Sequence, residues 1–203
     1  MDKFYFTRFS CSIASLALLV ECEHPIEPVR LEMTPEGAGD ESFAALSPLR
    51  QVPVLHAGSI VLRETGAIFE YLSLRHERMD CFAKSAEERV AVSHWIGFLG
   101  GTVHPLFRIL FRPERFVGKE EQDQKNARLH TARYLLRALS VAEKQLAARG
   151  WVLGRRTGID FYLFVFTRWL GMLRIPLSPV LNDFHDRVAA LPAMRSAMVI
   201  EAN

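Results

Sequence analysis

Cysteine is scarce in this sequence: Cys11, Cys22 and Cys81 are the three among 203 residues. They form no CxxC pair and no spacing typical of zinc ligands, so the sequence gives no indication of a metal site. An odd and small number of cysteines also argues against the disulfide framework of a small secreted domain. We therefore expect a reducing, cytoplasmic location and no bound metal.

The sequence also lacks a long apolar run and an excess of charge of one sign. Its most apolar stretch, CSIASLALLVEC at residues 11–22, is shorter than the roughly 20 residues of a membrane span. No small-residue cleavage site of a signal peptide follows it. The formal net charge is +2, and the basic residues are scattered and matched by acids. We therefore expect neither a membrane nor nucleic acid as a partner.

Apolar residues make up 49% of the chain, which is ordinary for a folded protein with a sizeable core. In the first part of the chain their spacing predicts strands at residues 3–6 and 26–33, two more strands within 52–62 around a turn at 57–58, and helices at 12–21, 41–46 and 64–76. Ser12 is predicted to cap the first helix. The resulting order, β-α-β-α-β-β-α, is typical of a thioredoxin-like layer.

After His76 the pattern changes, because residues 77–84 are polar and every later periodic segment is helical. SAEE at residues 85–88 and TGID at 157–160 both have the spacing of a capping box. In the second of these boxes, which begins at Thr157, Asp160 takes the place of the usual glutamate. Helices are predicted at residues 86–111, 120–148, 157–173 and 179–190, with a short one after Pro192. An α/β domain at residues 1–77 is thus expected to precede an all-helical domain at 85–203.

The segment SPLRQVPVL at residues 47–55 places Pro53 among residues that otherwise resemble a strand. Proline cannot donate a hydrogen bond to a neighbouring strand, so it belongs at the start of a strand, at an edge or at a bulge. RETGAI at residues 63–68 follows closely and opens a helix with Glu64 and Thr65. Taken alone, these features are explained by a proline that starts a strand and by a common kind of helix start.

Five segments carry a family likeness when they are taken together and in order. They are FTRFSCSIASLAL, SPLRQVPVL, LRETGAIFEYL, WIGFLGGTVH and LGRRTGIDFYLFVFTRW. With them the chain resembles the cytosolic glutathione transferases over nearly its whole length, and it looks most like the bacterial beta-class branch. The resemblance implies a thioredoxin-like domain at 1–77 that binds glutathione and an all-helical domain at 85–203 that binds the second substrate. It also implies a homodimer that conjugates the glutathione thiol to an apolar electrophile in detoxification.

The resemblance further implies where glutathione binds. It places a cis peptide bond before Pro53, so that the amide and carbonyl of Val52 face a groove where a tripeptide can dock like an added strand. The γ-glutamyl end would lie at the start of the next helix, where free amides and the Thr65 hydroxyl suit its carboxylate and Glu64 suits its ammonium group. Gln51 is a further expected contact.

The resemblance assigns catalysis to Cys11 and His104. Cys11 lies at the start of the first helix, where we expect the helix dipole to lower the thiol pKa. It would hydrogen-bond the glutathione sulfur or form a mixed disulfide with it. The alternative is a buried cysteine that acts as a small apolar residue, with Ser10 or Ser12 as the hydroxyl donor. His104 would contact the same sulfur. The alternative is structural, because Pro105 predicts a helix kink at which His104 would lie.

An apolar wall for the electrophile is predicted from aromatic residues, although aromatics at helical spacing are often plain core. These residues are Phe9, Phe107, Phe111 and Trp169. The glycines at 97, 100 and 101 lie close together on one predicted helix, where each costs about 1 kcal/mol relative to alanine. We therefore expect another helix to pack closely against that face. A widened substrate cleft is the second explanation.

The chain departs from the family pattern at three places. Phe6 stands where a tyrosine is frequent, Gly97 stands where an asparagine contacts glutathione, and the segment from Gly154 to Asp160 is one residue shorter. The first two departures remove polar groups from the expected site. Two rival functions therefore stay open: a redox enzyme that uses Cys11 as nucleophile in disulfide exchange, and an interaction module that keeps the fold without the chemistry.

Overall fold

The computed structural model describes residues 1–76 and 81–203. Its first part contains β1 (Asp2–Phe6), α1 (Ser12–Glu21), β2 (Ile26–Arg30), a 3-10 helix (Glu41–Ala45), β3 (Val54–Ala57), β4 (Ile60–Leu62) and α2 (Thr65–Arg75). The four strands form one sheet in the order β2-β1-β3-β4, with β1 and β2 parallel and the other two pairs antiparallel. This is the predicted thioredoxin-like layer.

The residue types in the strands fit the positions of those strands in the sheet. In β1, Phe4 is paired with Pro28 on one side and with Leu55 on the other. Pro28 is in β2, an edge strand, where a residue without an amide proton is tolerated. Phe4 and Leu55 are fully buried, as expected for two central strands.

The second part of the chain is helical, as predicted. It contains α3 (Ala86–Phe98), a π-helical turn (Leu99–Val103), α4 (His104–Phe111), α5 (Glu114–Val117), α6 (Glu121–Arg149), α7 (Gly158–Met172), α8 (Pro179–Ala189) and α9 (Pro192–Ala202). None of the helices within the described residues is both apolar and long enough to span a bilayer.

Helix α1 joins the two halves. Its residues from Ser12 to Leu19 are all buried, because it packs against β1 on one side and against α7 and α9 of the helical part on the other. One hydrophobic core therefore contains both Phe4 of the sheet and Phe164 of α7. The two-domain boundaries stay a prediction, and the boundary at residue 77 lies outside the described residues.

Three local predictions need correction. The helix predicted at 86–111 is interrupted by the π-helical turn, directly before the kink that Pro105 indicates. The single turn α5 was not predicted, because four residues are too few for a periodic signal. Ser12 does not cap α1, because the N-cap is Cys11 and the Ser12 amide donates to Ser10 Oγ at 3.3 Å. The Ser12 hydroxyl is buried and has no hydrogen-bond partner among the residues that the structure describes.

The predicted box at the start of α7 is confirmed. The Asp160 carboxylate is fully buried and accepts from the amides of Thr157 at 2.7 Å and Val152 at 3.1 Å. Burial raises the pKa of Asp160 to about 6, and these hydrogen bonds act against that rise. Asp160 therefore fastens the loop before α7 to the helix itself, which is a structural role.

Of the three glycines before His104, only one is approached by a side chain of another helix, as helix packing predicts. A Cβ at Gly100 would lie 3.3 Å from the Tyr162 hydroxyl, so a side chain of α7 does approach the helix there. At Gly97 and Gly101, no atom of the described residues lies within 4 Å of the Cβ position, apart from the adjoining residues and the backbone of the helix itself. Helix packing thus explains Gly100, whereas Gly97 and Gly101 face open space.

Candidate active site

The Val52–Pro53 peptide bond is cis, as the resemblance implied, and Pro53 directly precedes β3. The carbonyl of Val52 accepts a hydrogen bond from Cys11 Sγ at 3.4 Å. A carbonyl oxygen has two lone pairs, so it can accept one more. Among the described residues, none accepts a hydrogen bond from the Val52 amide. The expected pair of free backbone groups is thus present in part, because the chain itself shares the carbonyl.

Cys11 is the N-cap of α1, and the residue is 7% exposed. The prediction that the helix start lowers its pKa is wrong: burial raises the pKa of the Cys11 thiol to about 12. A backbone hydrogen bond and the charge of Arg108 act in the opposite direction, but desolvation outweighs them. Cys11 is therefore a neutral thiol at physiological pH, and its observed contact is that of a donor.

The start of α2 presents the two residues that were expected to bind the γ-glutamyl group. Glu64 is the exposed N-cap and makes no side-chain cap hydrogen bond, so its carboxylate does not serve the helix itself. Thr65 is the first residue of α2 and is 5% exposed. The negative charge of Glu64 acts on the Cys11 thiol, which places the start of α2 near the start of α1.

Gln51 is exposed, and its Oε1 accepts a hydrogen bond from Arg108 Nη2 at 3.4 Å. The Arg108 guanidinium also acts electrostatically on Cys11, His104 and Tyr162. A single cation of α4 therefore lies close to the backbone turn and to the catalytic candidates.

His104 begins α4, and its Nδ1 lies 3.3 Å from the Tyr162 hydroxyl. Its ring packs against Trp169, with ring centroids 5.1 Å apart. Burial, followed by the charge of Arg108, lowers the pKa of His104 to about 4, so the ring is neutral at pH 7. Burial also raises the pKa of Tyr162, and the charge of Glu64 adds to that rise. The Tyr162 hydroxyl therefore lies near both His104 and the start of α2.

Tyr162 and Arg108 were not among the residues predicted from the sequence. Arg108 lies four residues after His104, which puts both on one face of α4. Tyr162 lies two residues after Asp160, inside a helix whose start was recognised but interpreted only structurally. Helical spacing from His104 was a usable signal for Arg108. No local signal points to Tyr162, because its partners come from distant segments.

The predicted apolar wall divides into exposed and buried members. Phe9 is 54% exposed, and the Arg168 guanidinium lies 5.0 Å from the centre of its ring. Phe111 is half-buried, with its ring 5.6 Å from that of Trp169. Trp169 is largely buried and donates from Nε1 to the Phe9 carbonyl at 2.8 Å. Phe107 is fully buried, so it belongs to the core and does not line the cleft as predicted.

The loop before Cys11 is held by the last helix of the chain. The Phe9 amide donates to Glu201 Oε1 at 3.0 Å, and Phe9 has a positive φ of 58°. Glu201 is 4% exposed and forms a two-point ion pair with Arg168, at 3.1 and 2.6 Å. Residues of α7 and α9 therefore fix the loop that carries Cys11 into place.

The first two of the three departures from the family pattern, Phe6 and Gly97, lie in the core and at a separate cavity. Phe6 is 2% exposed and stacks on Phe4 in the core, with ring centroids 6.2 Å apart. Gly97 lines a cavity between α2 and α3. Within residues 1–76 and 81–203, no group of three histidine, cysteine, aspartate or glutamate side chains is placed to hold a metal ion.

Two family models match this chain on either side of the interdomain segment. The glutathione S-transferase N-terminal domain matches residues 3–73, and the glutathione S-transferase C-terminal domain matches residues 102–192. The chain belongs to the glutathione S-transferase family. The resemblance stated from the five sequence segments is thereby confirmed, and so is the glutathione transferase fold.

Relatives of the glutathione S-transferase family match along the full chain. Glutathione S-transferase GST-4.5 of Xanthomonas campestris is 28% identical, with 98% of each chain covered. The structure of a glutathione S-transferase from Xylella fastidiosa superposes with a TM-score of 0.90 at 26% identity, covering 100% of this chain and 99% of that one. A bacterial beta-class glutathione S-transferase from Sphingomonas chungbukensis gives a TM-score of 0.84 at 25% identity, with 98% of each chain covered.

Proposed function

We propose that this glutathione transferase binds glutathione between the Val52–Pro53 turn and the start of α2, and transfers the glutathione thiol to an apolar electrophile. The observation that carries the proposal is the contact of Cys11 Sγ with the Val52 carbonyl at 3.4 Å. It sets a neutral thiol donor directly beside the backbone groups on which a tripeptide would dock. A cysteine sulfur bound there would lie next to Cys11.

The start of α2 suits the γ-glutamyl end of glutathione, which carries both a carboxylate and an ammonium group. Free amides of the first helical turn and the positive end of the helix dipole favour the carboxylate. The exposed carboxylate of Glu64 favours the ammonium group. Thr65 is the first residue of α2, so its hydroxyl lies at the same helix start. Gln51, whose Oε1 accepts a hydrogen bond from Arg108, is the remaining polar residue proposed to contact glutathione.

The reaction needs the glutathione sulfur as a thiolate, whereas a free thiol near pKa 8.5 is mostly protonated at neutral pH. Cys11 is a neutral thiol with one S–H hydrogen, which donates to the Val52 carbonyl here and turns to the glutathione sulfur when glutathione binds. Donated to that sulfur, the hydrogen bond stabilises the thiolate, and the Arg108 charge acts in the same direction. The thiol proton leaves to solvent. The thiolate sulfur then forms a bond to the electrophilic carbon, and the leaving group departs with its bonding electrons.

His104 and Tyr162 contribute hydrogen bonds in this scheme and do not take the proton. With a pKa of about 4, His104 is too weak a base to deprotonate a thiol efficiently. Its ring holds the Tyr162 hydroxyl and packs on Trp169, so the pair shapes the wall between the thiol and the helical domain. Phe9 and Phe111 are the exposed or half-exposed aromatic residues that would meet the electrophile.

The rival redox function requires Cys11 as a nucleophile, and a thiol with a pKa of about 12 is poorly suited to that role. Cys11→Ala separates the two functions. Loss of conjugation supports the donor role, whereas surviving conjugation with loss of glutathione-dependent disulfide reduction supports the redox function. Cys11→Ser, which keeps a neutral donor, is the matched variant and should retain part of the conjugation rate.

Retention on immobilised glutathione, followed by conjugation to an aryl halide, tests the proposal as a whole. We expect both binding and turnover, with retention weakened in Thr65→Ala. Binding without turnover would favour the interaction module, and failure to bind would refute the site. Assembly as a homodimer, which the family resemblance implies, is part of the proposal and is measured by sedimentation of the same preparation.

A further inference from the structure

Arginine recurs where α4 and α5 meet the first part of the chain. Arg108 lies in α4, Arg112 is the C-cap of that helix, and Arg115 lies in α5. Two of them contact the first part: Arg108 Nη2 donates to Gln51 Oε1 at 3.4 Å, and Arg115 donates to the Pro35 carbonyl. This edge of the candidate site is therefore basic.

The arginines near the site differ in whether an acid neutralises them. Arg112 Nη1 lies 3.9 Å from the Glu114 carboxylate, and Arg168 is paired with Glu201 at 2.6 Å. Arg108 is exposed and makes no ion pair with a carboxylate in the part of the chain that the structure describes. Its contact with a neutral side-chain amide, at 3.4 Å, is longer than the roughly 3 Å of a usual N–H···O hydrogen bond. Arg108 therefore has donors available for an anionic ligand.

The position of Arg108 on α4 places it beside the aromatic wall proposed for the electrophile. His104 lies four residues before it and Phe111 three residues after it, and side chains at these spacings are neighbours on a helix surface. The rings of His104 and Phe111 both pack against Trp169, with centroids 5.1 and 5.6 Å apart. The guanidinium therefore lies at the border of an apolar surface.

The contact with Gln51 places the same guanidinium near the reacting sulfur. Gln51 directly precedes Val52, whose carbonyl accepts a hydrogen bond from Cys11 Sγ at 3.4 Å. Two hydrogen bonds and one step along the chain thus connect Arg108 to the thiol donor. In agreement with this position, the Arg108 charge acts against the burial that raises the pKa of Cys11 to about 12.

A cation at the border of an apolar surface suits a ligand that is apolar with an acid at one end. The planar guanidinium matches a carboxylate in two parallel hydrogen bonds, which are stronger than its present contact with a neutral amide. Glu64 is the acid at the start of α2, and the proposed function assigns it to the ammonium group of glutathione. It therefore does not compensate Arg108 when glutathione is bound.

We propose that Arg108 determines specificity for electrophiles that carry a carboxylate beside their apolar part. The inference rests on the proposed function, because it names the class of the second substrate at the same site. The substrate carboxylate accepts from the Arg108 guanidinium and takes the place of Gln51, which is then available to glutathione. With an acidic aryl chloride, the glutathione thiolate forms the S–C bond, the C–Cl bond breaks, and chloride leaves with the bonding electrons. The carboxylate itself stays unchanged.

A chlorodinitrobenzoate and its methyl ester, which differ in charge, test the proposal as second substrates. The ratio of their kcat/KM values is compared between protein variants, so that the difference in intrinsic reactivity cancels. In Arg108→Gln the acid-to-ester ratio should fall about 10-fold, as expected for loss of a hydrogen bond between charged groups. Arg108→Lys keeps the charge without the planar fork and should lose less.

Arg133→Gln is the matched control, since Arg133 is exposed on α6 and its loss changes the net charge equally. An unchanged ratio in Arg108→Gln, or an equal fall in the control, would overturn the inference. Turnover of neither compound by the unaltered protein would refute the proposed function and this inference with it. Turnover of the ester without a preference that depends on Arg108 would overturn the inference alone.

The glycine end of glutathione is a second source of a carboxylate, and the glycyl ethyl ester of glutathione lacks that charge. We expect Arg108→Gln to change the KM for glutathione and for this ester equally little, with the fall confined to the acidic electrophile. A rise in KM for glutathione that is absent for the ester, together with an unchanged acid-to-ester ratio of the electrophiles, would assign Arg108 to glutathione and overturn the proposal.

Discussion

Replacement of Glu201 by alanine should destabilise the fold and weaken glutathione binding together, because one carboxylate serves both the core and the loop before Cys11. Its oxygens accept from two nitrogens of Arg168 and from the Phe9 amide. In Glu201→Ala the guanidinium and the amide both lose their acceptor, and Glu201 itself is 4% exposed. The change therefore leaves a charge and a backbone donor without partners in a nearly dry place.

Removing one partner of a buried ion pair costs about 3–5 kcal/mol, and the lower end applies here because Arg168 is partly exposed and reaches solvent by turning its side chain. We therefore expect a loss of about 3 kcal/mol. For a chain of this size each kcal/mol corresponds to about 2–4 °C, so Tm should fall by about 6–12 °C. The Tm of Glu201→Gln, which keeps an acceptor for the Phe9 amide, should lie between those of the unchanged protein and of Glu201→Ala.

Thermal and urea unfolding measure the stability, and the KM for glutathione reports the position of the loop. Glu121→Ala is the matched control, since its i,i+4 pair with Lys125 is exposed and worth about 0.3–0.5 kcal/mol. We expect KM to rise in Glu201→Ala and to stay unchanged in the control. Equal Tm shifts in the two variants would refute the reasoning, and a lower Tm with unchanged KM would refute the link to the loop.

Three further outcomes follow from other parts of the structure. Burial, followed by the charge of the neighbouring His24, lowers the pKa of His76. The unfolded chain therefore takes up the proton first, and the free energy of unfolding should fall as the pH drops below about 6.5. His76→Asn should reduce the pH dependence of the urea midpoint between pH 7.5 and 5.5, about one unit to either side of that value. Asp160→Asn keeps an acceptor for only one of two backbone amides and should cost about 1–3 kcal/mol in urea unfolding, and an unchanged midpoint would contradict the assigned role. Tyr162→Phe removes the hydroxyl near His104 and should lower kcat/KM about 2–10-fold without a change in the far-ultraviolet spectrum, whereas an unaltered rate would place Tyr162 outside the site.

The elements that depend on local spacing were predictable from the sequence. The strand at Asp2–Phe6, the buried helix at Ser12–Glu21 and the box at Thr157–Asp160 each arise from residues within a few positions of one another. The helical part was predictable for the same reason, because apolar residues recur at helical spacing and Ser178 caps α8 as its position before proline indicates.

The electrostatics of the site were not predictable in this way. The start of a helix favours a thiolate, but the pKa of Cys11 is set by burial beneath residues that are distant in sequence, and that effect is the larger. The Tyr162 hydroxyl meets the His104 ring only after α7 has packed near α4, and the two residues are 58 positions apart in the sequence. The π-helical turn that orients His104 likewise has no periodic signal of its own.

The attachment of Phe9 to Glu201 has a consequence for how the chain is made. A ribosome delivers residue 9 long before residue 201, so the sheet and α1 can form while the loop beside Cys11 still has no anchor. Arg8 and Arg30 also donate to carbonyls of the final two residues, Ala202 and Asn203. The loop beside Cys11 is therefore made early and is held in place only after α9 has been made.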